Sequence, residues 1–89
     1  MIEAEVQIVN RLGLHARAAA RFVHLAATFQ ARVTVMRDSA RADGKSILGL
    51  LTLAASQGSK LRLRVEGEDA QQAIDDLTRL VRERFGEDG

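Results

Sequence analysis

Three segments of this sequence carry apolar residues at every second position, with polar residues between them. They lie at residues 4–8, 31–35 and 61–65, and the alternation in each is that of a β-strand with one buried face. Strands that are apolar on a single face favour an antiparallel or mixed sheet whose helices all lie on one side. We therefore expect a two-layer open-faced sandwich of the α+β class.

Helical periodicity occupies the chain between these segments. Residues 16 to about 29 place their apolar side chains on one stripe, which predicts a first helix. Ser46 is a good N-cap for a second helix beginning at Ile47. Asp69 and Gln72 have the spacing of a capping box, which predicts the start of a third helix.

A short third strand is expected around Ala40 to Ala42, after a turn at Asp38 and Ser39. The predicted order is then β-α-β-β-α-β-α. We expect the tail from Gly86 onward to be frayed.

Length and composition narrow the possible functions. Eighty-nine residues predict a single domain spanning 1–89, too small for a large enclosed active site. A net charge of +1 argues against a nucleic-acid-binding protein. Cysteine is absent, and no apolar stretch approaches the roughly 20 residues that a transmembrane helix needs. We expect a soluble cytoplasmic protein that does not insert into membranes.

The segment Gly13-Leu14-His15-Ala16-Arg17 lies where a strand gives way to a helix. Unpaired amides at a helix N-terminus favour an anion there, and Arg17 could bind phosphate oxygens bidentately. Imidazole is a competent nucleophile, although a lone histidine at a helix start is more often a capping or surface residue. His24 is expected on the polar helix face. Its separation from His15 does not suit a metal site, and we expect no metal ion.

The segment Gly44-Lys45-Ser46 resembles part of a P-loop, but Ser39 stands where the first glycine would be required. The apolar residues that follow nearly encircle the predicted second helix, although one stripe would suffice for packing on a sheet. Either the helix is deeply buried or part of it stays exposed for a partner. We favour a partner-docking patch made of Ile47, Leu48 and Leu51.

Together, the segments 13–17 and 45–51 resemble the two signatures of the histidine-containing phosphocarrier (HPr) family of the bacterial phosphoenolpyruvate-dependent sugar phosphotransferase system. The resemblance covers essentially the whole chain. It implies a four-stranded antiparallel sheet covered on one face by three helices. It also implies a carrier rather than an enzyme, working without a cofactor, and we expect a monomer.

The resemblance further implies particular residue roles. His15 would be phosphorylated on Nδ1 by Enzyme I and would pass the group to the A component of an Enzyme II, while Arg17 holds the phosphate oxygens. Ser46 matches the regulatory position that a serine kinase/phosphorylase modifies in some bacteria. Docking would involve Ile47, Leu48 and Leu51, with Ala20 and Arg21 on the neighbouring helix.

One departure leaves the pathway open. Many family members carry proline after the His-x-Arg triplet, where this chain has Ala18. A nitrogen-related branch uses a carrier of the same fold in regulation without sugar uptake, and this is the main alternative. A purely regulatory protein acting through Ser46 is disfavoured because His15 is present. A histidine phosphatase is disfavoured because no acidic residue and no second histidine lie near the motif.

Overall fold

The computed structural model describes all 89 residues and has the predicted element order. Its strands and helices are β1 (Ile2–Gln7), α1 (Ala16–Ala26), β2 (Arg32–Arg37), β3 (Ala40–Asp43), α2 (Ile47–Leu51), β4 (Lys60–Glu66) and α3 (Ala70–Arg82). A 3-10 turn, Arg84–Gly86, follows α3. None of the helices is both long and apolar enough to cross a membrane.

The four strands form one antiparallel sheet in the order β1-β4-β2-β3. The register brings Leu63 of β4 opposite Ala4 on one side and Val35 on the other. Val35 in turn lies opposite Ala42 of β3, so the inward positions form a row across the sheet. The expected four-stranded antiparallel sheet is confirmed.

The core lies between this sheet and the helices. The inward strand residues Val33, Leu61 and Val65 are almost completely buried, whereas their neighbours along the strands are mostly exposed. Phe22 of α1 and Leu77 of α3 supply large buried side chains from the helical layer. The alternation read from the sequence therefore identifies the buried face of the sheet, and the two-layer α+β class is confirmed.

Two helices are shorter than predicted. α1 ends at Ala26 rather than near Phe29, because the amides of Thr28 and Phe29 bond to carbonyls three residues back and tighten the chain into a turn. α2 ends at Leu51 after five residues. Leu53 and Ala55 belong to the apolar residues that were predicted to encircle this helix, but they are buried in the segment after it. Part of the apolar excess in this region is therefore ordinary core.

The predicted capping box at the third helix was wrong. Asp69 is the N-cap of α3, but its side chain makes no capping hydrogen bond. Its carboxylate accepts hydrogen bonds from the amides of Gln30 (2.8 Å) and Ala31 (2.9 Å), and the side-chain amide of Gln72 donates to Asp76 instead. Asp69 therefore joins the start of α3 to the connection between α1 and β2.

Candidate functional site

The loop before α1 is held in place by Gly13. Its φ of +70° lies in the left-handed region, and a Cβ atom there would approach the carbonyl oxygen of Ala55 to 2.6 Å. The next residue, Leu14, donates its amide to that same carbonyl at 2.8 Å and is buried. This close approach fixes the backbone two residues before His15 and so determines where the histidine leaves the loop.

His15 is the N-cap of α1, as the sequence predicts. Its backbone is extended, with φ −82° and ψ −179°, and its side chain makes no capping hydrogen bond. The first helical hydrogen bond is donated by Ala19 to the His15 carbonyl at 2.8 Å, which leaves the amides of residues 16–18 without a helical acceptor. The imidazole, 27% exposed, therefore lies beside a helix N-terminus that favours negative charge.

The C-terminal tail is not frayed, and this corrects the sequence-based expectation. Phe85 is buried, and the carboxylate of Glu87 lies against both His15 and Asn10. One carboxylate oxygen contacts Nε2 of His15, and the other accepts a hydrogen bond from the Asn10 side-chain amide at 2.8 Å. The tail is ordered because a buried aromatic anchors it and a histidine–carboxylate contact holds its end.

Several interactions act on the ionisation of Glu87. Burial raises the pKa of this carboxyl group. The hydrogen bonds from Asn10 and His15, together with electrostatic attraction to His15 and Arg21, outweigh burial and hold the pKa below its ordinary value. Glu87 is therefore a carboxylate at neutral pH.

Three arginines surround the tail. Arg11, Arg17 and Arg21 line an open cleft of about 320 Å³ together with residues 86–89. Arg21 donates a hydrogen bond from Nη1 to the Phe85 carbonyl, whereas the Arg17 side chain makes no ion pair or hydrogen bond within the chain. Arg17 is thus free to bind an added anion. Arg32, the next arginine along the chain, lies on β2 instead.

Ser46 caps α2, as predicted. Its hydroxyl oxygen accepts a hydrogen bond from the Gly49 amide at 3.0 Å, and its backbone is extended. The neighbouring Lys45 is held within the structure, because its ammonium group donates a hydrogen bond to the Phe29 carbonyl at 2.8 Å. α2 therefore begins at a short segment that is tied to the connection between α1 and β2.

The predicted docking residues differ in exposure. Leu48 is 77% exposed and Ile47 is 37% exposed, whereas Leu51 is half-buried against the core. On α1, Ala20 is half-buried and Arg21 is exposed. Leu48 is thus the most prominent apolar side chain of this group.

Three residues of the site were missed by the sequence interpretation. Leu12, 63% exposed, lines the arginine cleft, and its isolated position in a loop gave no periodic signal. Glu87 contacts His15, and Asn10 contacts Glu87. Glu87 is 72 positions away from it along the chain, so no local pattern connects the two residues.

Comparisons with known proteins place this geometry in context. A family model described as "PTS HPr component phosphorylation site" matches residues 2–83. The chain belongs to the HPr family. The HPr of Cupriavidus necator is 44% identical to it over 87 residues, covering 98% of both chains.

Other members of the HPr family are similarly close. A phosphocarrier protein NPr from Shewanella violacea is 41% identical and covers 97% of this chain and 94% of its own. An HPr structure from Thermoanaerobacter tengcongensis superposes with a TM-score of 0.95 at 40% identity, covering both chains completely. An HPr dimer from the same organism superposes with a TM-score of 0.78 at 41% identity, covering 98% of this chain and all of its own. The chain is therefore an HPr-type phosphocarrier of the phosphotransferase system.

Proposed function

We propose that this protein accepts a phosphoryl group on Nδ1 of His15 from phosphorylated Enzyme I and passes it to the A component of an Enzyme II. The observation that carries this proposal is the placement of His15, the N-cap of α1 in a family of phosphocarriers. Nδ1 is the reacting atom because Nε2 is already engaged by Glu87. The protein acts as a cytoplasmic, monomeric carrier in which the phosphohistidine is transient, and residues 1–89 form one carrier domain.

Arg17 and the helix N-terminus are assigned to the phosphoryl oxygens. The amides of residues 16 and 17 have no helical acceptor, and the guanidinium of Arg17 makes no ion pair that would have to be broken. Backbone amides and a planar guanidinium both bind phosphate oxygens well, and Arg17 can do so bidentately. Together they would stabilise the charge on the group as it transfers.

Ile47, Leu48 and Leu51 are assigned to partner docking, with Ala20 and Arg21 as neighbouring contacts. Ile47 and Leu48 are among the four large apolar side chains that remain exposed on this chain. α2 packs beside α1, so the apolar residues adjoin the helix that His15 caps. Exposed apolar side chains grouped beside a reactive residue suit a partner that must bring its own reactive group close.

Ser46 is assigned as a regulatory phosphorylation site for a serine kinase/phosphorylase. Phosphorylation would add about −1.5 to −2 charges next to Ile47 and Leu48. That charge would repel an acidic partner surface and would disfavour burial of the apolar side chains beside it. Modification at Ser46 would therefore slow transfer at His15 without touching the imidazole.

Labelling with Enzyme I and phosphoenolpyruvate tests the carrier role. We expect one phosphate per chain that is labile in acid and stable in base. His15→Ala should abolish it, whereas His24→Ala should retain it, because His24 is the other histidine and is exposed on α1. Labelling that persists in His15→Ala would refute the assignment.

The nitrogen branch is a second candidate, because an NPr at 41% identity is nearly as similar to this chain as an HPr at 44%. The two branches are distinguished by partner preference. Transfer rates should be compared between sugar-branch and nitrogen-branch forms of Enzyme I and of the A component. Faster exchange with the nitrogen-branch pair would assign a regulatory role without sugar transport.

A further inference from the structure

The C-terminal tail reaches His15 through an unusual backbone path. Arg84 and Phe85 have φ values of +60° and +53°, and Gly86 follows with +79°. Residues other than glycine rarely adopt the left-handed backbone conformation, so two of them in succession persist only where surrounding contacts hold them. Here the buried ring of Phe85 and the hydrogen bond from Arg21 to its carbonyl supply those contacts. The turn redirects the chain so that Glu87 faces the imidazole.

Glu87 stands between two side chains that fix its orientation. Its side chain is only 12% exposed, with one oxygen on Nε2 of His15 and the other on Nδ2 of Asn10. Asn10 is completely buried, and its Nδ2 also donates to the Gly13 carbonyl at 2.8 Å. Because both neighbours of Nδ2 are acceptors, the amide orientation of Asn10 is determined. The Oδ1 atom of Asn10 accepts no hydrogen bond, so this side chain interacts only through the N–H donors of its Nδ2.

We infer that Glu87 is a positioning residue for phosphoryl transfer, which fixes the proton of His15 on Nε2 and leaves the Nδ1 lone pair as the nucleophile. An ionised carboxylate can only accept a hydrogen bond, so the imidazole must donate from Nε2. Asn10 orients the carboxylate in the same way that Glu87 orients the ring. The inference rests on the proposed function and adds to it a hydrogen-bonded chain of Asn10, Glu87 and His15, which makes the C-terminal tail part of the site.

This hydrogen-bonded chain also acts during the transfer step itself. A bond forms between Nδ1 and phosphorus while the donor's bond to phosphorus breaks and its electron pair stays on the donor atom. Nε2 keeps its proton, so the product is a phosphorylated imidazolium with a positive charge. Glu87 lies against that charge and stabilises it as it develops. On delivery the same sequence runs in reverse, and the neutral imidazole returns to its contact with Glu87.

The first test uses the unphosphorylated protein and needs no partner. Imidazole ¹⁵N chemical shifts, recorded above pH 8, report which ring nitrogen of His15 carries the proton. We expect the proton on Nε2 in the wild type and a mixture of both tautomers in Glu87→Ala. Glu87→Gln should restore the Nε2 proton, because its amide oxygen can still accept the hydrogen bond. Tautomer populations in Glu87→Ala equal to those of the wild type would overturn the inference.

The second test measures transfer. Loss of a hydrogen bond to a charged group predicts about a tenfold decrease in the maximal phosphorylation rate of Glu87→Ala by Enzyme I and phosphoenolpyruvate. The half-saturating concentration of the carrier should stay unchanged, since docking residues are intact. Glu83→Ala is the matched control, because Glu83 is an exposed carboxylate four residues earlier whose side chain makes no hydrogen bond or ion pair.

The outcomes separate this inference from the carrier role. Absence of phosphate on wild-type His15 would contradict the proposed function. Normal wild-type labelling with an equal maximal rate in Glu87→Ala would contradict only the role of Glu87. A decrease of the same size in Glu83→Ala would also contradict it, because the loss would then follow from removing any carboxylate near the tail. Unfolding curves of both variants establish that the fold is intact.

Discussion

Removing the hydroxyl of Ser46 should destabilise the protein measurably. The hydroxyl oxygen accepts the Gly49 amide at 3.0 Å, and α2 has only five residues, so this bond is a large part of its hydrogen bonding. Replacing an N-cap serine by alanine costs about 1 kcal/mol, within a range of roughly 0.5–2 kcal/mol. For a domain of this size, about 1 kcal/mol corresponds to a decrease in Tm of about 4–8 °C. Urea and thermal unfolding of Ser46→Ala measure both quantities.

Ser46→Asp separates the structural role of this position from its regulatory one. A carboxylate can accept the same amide hydrogen bond, and aspartate caps helices about as well as serine does. Its stability should therefore stay close to that of the wild type, while its rate of phosphorylation by Enzyme I should decrease because of the added charge beside Ile47 and Leu48. Ser46→Ala should show the opposite pair of effects, lower stability with a near-normal transfer rate.

Ser39→Ala provides the control for these two variants. Ser39 is exposed in the turn between β2 and β3, and its side chain makes no hydrogen bond, so its replacement should change neither stability nor rate. The reasoning would be refuted if Ser46→Ala unfolded at the same urea concentration as the wild type. It would also be refuted if Ser46→Asp were as unstable as Ser46→Ala, because the carboxylate would then not replace the cap.

Two further substitutions test other parts of the fold. Asp69→Asn should lower the free energy of unfolding at pH 7. In the folded protein the hydrogen bond from the Gln30 amide, together with the one from Ala31, outweighs desolvation and holds the pKa of Asp69 below its ordinary value. A carboxyl group whose pKa is lower in the folded than in the unfolded protein stabilises the fold at pH values above its unfolded pKa. In urea unfolding, the difference in stability between Asp69→Asn and the wild type should therefore shrink below about pH 4. A pH-independent difference would contradict this. Ala18→Pro should raise the free energy of unfolding by about 0.4–1 kcal/mol, because the Ala18 amide has no helical acceptor and proline restricts the unfolded chain. Thermal unfolding with phosphorylation assays checks this, and either a lower Tm or loss of labelling would show that position 18 needs its alanine.

The features that the sequence predicted correctly depend on neighbours along the chain. Alternation in β4 follows from the fact that successive strand residues point to opposite faces, and it predicted the buried Leu61, Leu63 and Val65. The cap at Ser46 and the position of His15 at the start of α1 are set by bonds within three or four residues. Such features need no knowledge of the rest of the fold.

Local sequence patterns also gave wrong predictions where folding supplied a side chain with a distant hydrogen-bond partner or a different buried position. Asp69 has the spacing of a capping box, but folding brings the amides of Gln30 and Ala31 within reach of its carboxylate. Leu53 and Ala55 continue the apolar run of α2, yet the helix ends first and they enter the core from the next segment. A hydrophobic pattern predicts that a residue is buried and does not specify the partner that buries it.

The sequence by itself therefore determined the element order, the inward face of the sheet and a histidine at a helix N-terminus. Only the tertiary structure decided what surrounds that histidine. Glu87 reaches His15, with its other oxygen held by Asn10, because the core fixes Phe85 and because Gly13 allows the loop to pack against Ala55. Contacts between residues 72 positions apart are set by the packing of whole elements, which no local pattern of residues encodes.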